Sequence, residues 1–274
     1  MMPLLNLAYF GTKLRARRLT IAMLGLAGLL TISDRLQAQP IFVPNHSFET
    51  PSTAGFPFDT NPFITEWNQI AEPAYYPFLG SGVPPWYGTS GVFSNTSPYS
   101  AAPYGNVSGN QAGYILMAPQ VTLFQDYSVS PTFTSTYEVG RSYNLTIGLF
   151  ARSSFATIAP GSTLELSLYY LDESNSKVKV GSTVVSYSAA AFPASPTPSL
   201  IDYQVNTLTV NAGDAWAGKH IGIQLESTIP MEMTSFGNWD FDNVRLTAVP
   251  EPTALALLGL GFGGLMLARA RRQS

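Results

Sequence analysis

The residues able to do chemistry are few and far apart. His46 and His220 are the only two imidazoles in 274 residues, and there is no cysteine. A thiol nucleophile and a cysteine-held zinc site are thereby excluded. Neither histidine has a serine and a carboxylate at a spacing that suggests a triad. No Gly-x-Ser-x-Gly elbow, His-Glu-x-x-His helix or phosphate-binding loop occurs. Each histidine reads as a surface or turn residue. Carboxylate pairs serve glycoside hydrolysis, but Glu66, Glu72, Asp126, Glu138, Glu165, Asp202 and Glu226 are scattered with no motif around them. The expectation is a protein without catalytic residues, with a secreted glycan-active enzyme as the alternative.

The strongest local pattern lies at the end of the chain. Val249-Pro250-Glu251-Pro252 is followed by an uncharged stretch, Thr253 to Ala268, and then by Arg269, Arg271 and Arg272. The prolines keep the motif extended. The apolar stretch is rich in Leu, Ala and Gly, and the arginines hold its end on the cytoplasmic side. These residues resemble the PEP-CTERM sorting signal of Gram-negative bacteria, in which a Pro-Glu-Pro motif, a membrane helix and a basic cluster are read by an exosortase. The resemblance implies an exosortase as processing partner, with Pro250, Glu251, Pro252, Arg269, Arg271 and Arg272 as the sorting residues. Residues 253–268 as a helix span roughly 24 Å, less than the ~30 Å hydrocarbon core. That shortness suits a transient anchor awaiting cleavage better than a permanent one.

The opposite end reads as an export signal over residues 1–38. Lys13, Arg15, Arg17 and Arg18 precede the apolar run Leu19 to Ile32, and a cut after Ala38 is plausible. Arginines then mark the cytoplasmic side at both ends. The body between lies outside the inner membrane, on the way to the cell surface or an extracellular matrix. Within 39–249 six basic residues face fifteen acidic ones, a formal charge of −9. Such a body repels phosphate backbones, so nucleic acid is excluded as a partner.

The elements that must position any site are strands. Residues 39–248 show short β-branched and aromatic runs broken by Gly, Pro, Asn and Ser, with no convincing helical period. Strands are predicted at 40–43, 47–50, 64–70, 112–125, 143–152, 163–172, 177–188, 200–210, 219–227 and 238–247. Alternation is clearest in Tyr143-Leu145-Ile147-Leu149 and in Leu164-Leu166-Leu168-Tyr170. Asp172 to Ser176 reads as a hairpin loop. Strands so spaced, without helices between them, predict an all-β sandwich or jelly roll. Residues 51–111 are rich in aromatics as well as Gly, Pro and Ser, and are expected to form an elaborated loop region over the sandwich.

Two stretches add a second resemblance. Pro44-Asn45-His46-Ser47-Phe48-Glu49 and Asn238-Trp239-Asp240-Phe241-Asp242-Asn243-Val244-Arg245-Leu246 are similar to the first and last strands of galactose-binding-like jelly rolls, including many carbohydrate-binding modules. In the middle of the chain, Gly105-Asn106 and Gly109-Asn110-Gln111-Ala112-Gly113-Tyr114-Ile115 are similar to the Pro-x-Gly-x-Gln-x-Ala-x-Leu strand of such domains in PEP-CTERM proteins. The resemblance implies that the first and last strands pair and that they cradle a structural calcium. Glu49 and Asp242 are the hard oxygen ligands, and Asp240, two residues away on the same side, is an alternative one. It also implies sugar stacking on exposed aromatics, for which Trp67, Tyr75, Tyr76, Trp86 and Tyr87 are the candidates. The functional expectation is therefore a non-catalytic exported protein of the envelope or exopolysaccharide matrix, binding polysaccharide. A purely structural surface protein would have the same sequence features.

Overall fold

The computed structural model describes residues 37–54, 60–74, 76, 85–96, 103–116, 120–153, 161–195, 198–228, 237–251 and 269. The chain divides into a unit of Gln39–Ala248 and a unit of the two terminal stretches. Among the described residues no helix is long and apolar enough to cross a membrane. Most of the expected signal segment 1–38, and the expected membrane helix 253–268, lie outside the described residues.

The body is a jelly-roll-like sandwich of two antiparallel sheets. Its strands are β1 (Gln39–Ile41), β2 (Thr60–Asn61), β3 (Asn68–Gln69), β4 (Ser90–Ser94), β5 (Gln111–Leu116), β6 (Val121–Gln125), β7 (Arg141–Ser153), β8 (Thr163–Leu171), β9 (Lys177–Ser186), β10 (Ile201–Asn206), β11 (Gly222–Thr228) and β12 (Gly237–Pro250). One sheet has the order β10-β7-β12-β5-β4-β2, with β1 also paired to β12; the other runs β3-β6-β11-β8-β9.

The alternation seen in the sequence sets the core. Tyr143, Leu145, Ile147 and Leu149 of β7 point inward from the first sheet, facing Leu164, Leu166 and Leu168 of β8 in the second. Each such aliphatic side chain contributes about 1.5–3 kcal/mol by leaving water. Trp239 and Phe241 of β12 join them, fully buried. Phe241 lies opposite Gly113 of β5, and any Cβ at Gly113 would run into its ring. The Asp172–Ser176 loop joins β8 to β9 as expected. Asp172 caps it, its carboxylate accepting the Ser174 and Ser176 N–H groups at 2.8 Å.

Four expectations are corrected. Residues 112–125 are not one strand: β5 and β6 belong to different sheets, and Gln120 between them has φ 59°. Residues 47–50 form no strand, because Asn45 and Phe48 take φ of 47° and 52° and fold the segment into a turn. The strand that pairs with the end of β12 is β1, upstream of the motif, with Ile41 opposite Leu246. The expected loop region holds β2, β3 and β4, and β4 is an inner strand between β5 and β2. Its sequence, Ser-Gly-Val-Phe-Ser, opens on Ser90 and Gly91, which have poor strand propensity. It is ordered by burial on both faces.

Candidate active site

The inner face of the first sheet is apolar; its outer face carries the unusual chemistry. On β12, Trp239 and Phe241 point inward, so Asp240 and Asp242 point outward. Both are nonetheless completely buried. What covers them is the segment 103–110, which crosses the sheet. It is tied down by a bridge between Gly105 and Ser199 and by Asn106 Nδ2, which donates to Leu200 O at 3.0 Å and Asp202 Oδ1 at 2.8 Å. Gly148 of β7 leaves room beneath it.

Asp240 sits in a compact constellation. Tyr104 donates its hydroxyl to Asp240 Oδ2 at 2.7 Å. Arg152, at the end of β7, places Nε 2.8 Å from the same oxygen and donates from Nη2 to Oδ1 at 3.4 Å. The Nε–H is not aimed at the oxygen, so that contact is an ion pair rather than a hydrogen bond. The guanidinium lies 4.9 Å from the Phe93 ring centroid. Phe93, Tyr104, Ala112 and Leu200 form a small apolar cluster here, with Tyr114 and Phe150 packed against it. Burial raises the Asp240 carboxyl above its ordinary value, against the pull of Arg152 and Tyr104. Asp240 in turn raises Arg152. Burial, with the charge of Asp240, pushes the Tyr104 hydroxyl far up, so it remains a donor. Burial likewise takes Tyr114, the register neighbour of Asp240, up to about 12. The arrangement is a carboxyl in an aromatic setting, held by one phenol and one guanidinium.

Asp242 belongs to a separate arrangement. Its Oδ2 accepts the Ser108 N–H at 2.5 Å. Glu49 Oε1 accepts the Asn110 and Gln111 N–H groups at 2.8 and 2.7 Å. The turn 108–111 is therefore held by both carboxylates. Gly109 there has φ 106°, and a Cβ would meet Glu49 Oε1 at 2.5 Å. Asp242 Oδ1 is buried with no hydrogen-bond partner. Burial, with Glu49 adding to it, pushes the Asp242 carboxyl up to about 8. Among the described residues no three acidic or imidazole side chains gather around one point, so any cation here would draw its remaining ligands from backbone carbonyls. Asp240 is corrected as a ligand, because it belongs to the cluster with Tyr104 and Arg152 and not to the turn held by Glu49 and Asp242. Arg245 pairs with Asp202 at 2.6 Å, not with Asp242.

The scattered acids have structural partners. Glu138 pairs with Arg141, and Lys179 bridges Glu165 and Glu226. Asp126 accepts the Ser128 N–H at 2.8 Å and the Tyr169 hydroxyl at 2.6 Å. His220 stacks on Tyr127 at 4.3 Å, and the His46 carbonyl accepts the Val244 N–H at 3.0 Å. Of the sugar-stacking candidates, Trp67, Tyr76 and Trp86 are only 6%, 5% and 9% exposed. Trp67 packs on Phe48, and Trp86 packs on Tyr76 while donating to Ile70 O. These three rings are interior and offer no free face. Tyr87 is 62% exposed, and Tyr75 lies outside the described residues. Tyr104 and Arg152 were not expected from the sequence; only their types, an aromatic next to Gly105 and a cation ending an alternating strand, hint at a role.

Fold and site together define an all-β sandwich with a buried acid–phenol–guanidinium cluster on one outer face. The chain belongs to the HpiC1-like family, described as HpiC1 cyclase, which it matches over residues 39–247. This overturns the expectation of a non-catalytic body, since the family is one of cyclases. Residues 248–272 match the PEP-CTERM protein-sorting motif, which marks the chain as an exported protein sorted by an exosortase. No curated protein matches the sequence. Among solved structures, a cyclase from Fischerella sp. TAU is 19% identical, with 79% of this chain and 100% of that chain covered and a TM-score of 0.52. The Stig cyclase Fisc from the same organism, in complex with (3Z)-3-(1-methyl-2-pyrrolidinylidene)-3H-indole, is 19% identical over 78% of this chain and 100% of its own, with a TM-score of 0.50. At that identity the likeness establishes the fold. A family 22 carbohydrate-binding module of Clostridium thermocellum Xyn10B is 10% identical over 76% of this chain and 98% of its own, with a TM-score of 0.34, which carries no inference about glycan.

Proposed function

We propose that the exported body is a cyclase that closes a ring within one unsaturated, aromatic-bearing small molecule, with Asp240 as its acid–base group. The observation that carries this reading is a carboxyl buried outside the main core, among aromatic rings, with its pKa raised and its position held by Tyr104 and Arg152. A carboxyl whose pKa is raised by burial holds its proton better than an ordinary aspartate and is suited to pass it to a substrate. Protonating an unsaturated atom of the substrate leaves a cation, which a second π bond of the same molecule attacks to form the ring. A proton then returns from the product to Asp240, so substrate and product have the same formula. Arg152 and Tyr104 steady the carboxylate while its proton is away. The faces of Phe93, Tyr104 and Phe150 favour positive charge beside them. Arg152, its side chain 24% exposed against 0% for Asp240, is the solvent-facing member of the pair.

The test incubates the purified exported protein with a small-molecule extract of its host and follows conversions that change retention but not mass. Asp240→Asn should abolish them and Tyr104→Phe should slow them. A wild-type protein with no mass-neutral conversion, or an Asp240→Asn variant as active as wild type, overturns the reading. Relatives bound to indole compounds supply a probe: 4-(1H-indol-3-yl)butan-2-one, held by a Fischerella cyclase, should bind the wild-type protein in titration calorimetry.

We also propose that Glu49 and Asp242 hold a structural calcium. The partnerless Asp242 Oδ1, the second carboxylate across the same turn and the hard-oxygen chemistry of both suit that ion. Bound there, it would fix the 108–111 turn, and with it the cover over Asp240. Cleavage of the tail after Pro-Glu-Pro would then release the cyclase to the cell surface. Intact mass of the mature protein, with and without the exosortase, tests this last step.

A further inference from the structure

The first and last residues of the body meet at one end of the sandwich. Gln39 of β1 stands opposite Ala248 of β12, and Arg141 at the start of β7 donates from Nη1 to Gln39 Oε1 at 3.0 Å. Beside them the residues before β7 pair with those after β10: Gly140 N–H donates to Val210 O and Val210 N–H to Arg141 O, each at 2.9 Å. Val139 and Leu208 stand on this end, 57% and 83% exposed, and Leu208 is the most exposed of the large apolar side chains described. Tyr137 carries the same end across to the second sheet by backbone hydrogen bonds with Gly218 and Lys219. There Tyr127, also exposed, stacks on His220. The charges around these residues are engaged. Glu138 pairs with Arg141 at 2.7 Å and Glu173 with Lys219 at 2.6 Å, while Asp172 and Asp214 accept N–H groups of their own turns.

We infer that this end of the body docks on a lipid bilayer, with Leu208, Val139 and Tyr127 entering the headgroup layer while the sorting tail is in place. The inference rests on the reading of residues 253–268 as a membrane segment. Exposed aliphatic side chains are ordinary when scattered; what singles these out is where they lie. From Ala248 to Thr253 the chain has five Cα steps, at most about 18 Å. The nine residues of β8 alone measure about 30 Å. On so short a tether only the end that holds Gln39 and Ala248 reaches the bilayer. Leucine and valine leave water there, and a tyrosine with its polar tip suits the interface. Paired charges on a body that is acidic overall suit zwitterionic headgroups better than anionic ones. Docked in this way, the body holds Pro250-Glu251-Pro252 at the bilayer surface, where a membrane-embedded processing enzyme works.

The protein has no cysteine, so a single introduced one reports a single position. Val139→Cys is labelled with an environment-sensitive nitrobenzoxadiazole dye in the uncleaved protein, its tail intact, and mixed with phosphatidylcholine vesicles. Val184→Cys is the control, an exposed position opposite Glu165 and well along β9 from the hairpin that carries Glu173. The protein should float with the vesicles. Dye at 139 should shift to the blue and be shielded from aqueous iodide, and dye at 184 should do neither. Adding Leu208→Asp to the Val139→Cys protein should remove most of the shift while flotation persists. A protein that floats with dye at 139 as wet as at 184, or with a shift that survives Leu208→Asp, overturns the docking and leaves the tail reading standing. A protein that does not float overturns both.

Discussion

Tyr104 and Asp240 are 136 residues apart in the sequence and 2.7 Å apart in the folded chain. The hydrogen bond between them pins the covering segment to β12, and Arg152 completes the arrangement from β7. This places one buried charge pair outside the main core, where its loss is separable from loss of core packing.

Asp240→Ala strands the Arg152 guanidinium without its partner and should cost about 3–5 kcal/mol in urea unfolding. Tyr104→Phe leaves the carboxyl short of one donor and should cost about 1–3 kcal/mol. Combining Asp240→Asn with Arg152→Met should recover part of the loss. If Asp240→Ala behaves like an ordinary surface substitution, the buried-pair account is wrong.

The calcium proposed at Glu49 and Asp242 would make stability depend on the ion. A chelator should lower Tm, and added calcium should restore it, because an ion that binds only the folded state stabilises it by mass action. Asp242→Asn should remove that response. Gly109→Ala should weaken it too, since its φ of 106° disfavours any side chain and the added Cβ presses on Glu49. Equal Tm with and without calcium would remove the ion from the site.

Lys177 supplies a pH dependence with a definite sign. Its folded pKa is lowered to about 8 from 10.5. Between those values the unfolded chain binds more protons, so stability rises with pH. The cost of the buried ammonium is full below about 8 and gone above 10.5. Lys177→Met should therefore raise the urea midpoint at pH 7, with the gain shrinking by pH 10. A gain that stays constant over that range would mean the lysine titrates normally when folded.

Aromatic substitutions divide by burial. Trp67→Ala should cost about 3–5 kcal/mol as a large core truncation, whereas Tyr87→Ala should be nearly neutral for stability. Any polysaccharide retention lost with Tyr87→Ala but kept in a folded Trp67→Phe variant would place a sugar contact at Tyr87. Retention unchanged in both would remove Tyr87 and Trp67 as stacking candidates.

Much of the architecture was legible in the chain itself. The alternation of Tyr143-Leu145-Ile147-Leu149 and Leu164-Leu166-Leu168 reports which side of each strand leaves water, and that is a local property. The Asp172–Ser176 hairpin and the Pro250-Glu251-Pro252 tail are equally local, each written in adjacent residues. β4 was missed because Ser90 and Gly91 have poor strand propensity and its order comes from neighbours on both sides. The turn at Asn45 and Phe48 was missed because positive φ at an aromatic residue is imposed by packing, here between Trp67 and Phe241.

By itself the sequence determined an exported, acidic, cysteine-free β-sandwich with a sorting tail, because composition and periodicity record compartment and burial. Only the tertiary structure decided the roles of the acids. Asp240 and Asp242 are two residues apart on one side of one strand and look interchangeable as a pattern. One meets Tyr104 and Arg152, the other the turn beside Glu49, because segment 103–110 crosses the sheet at a register that no local pattern encodes.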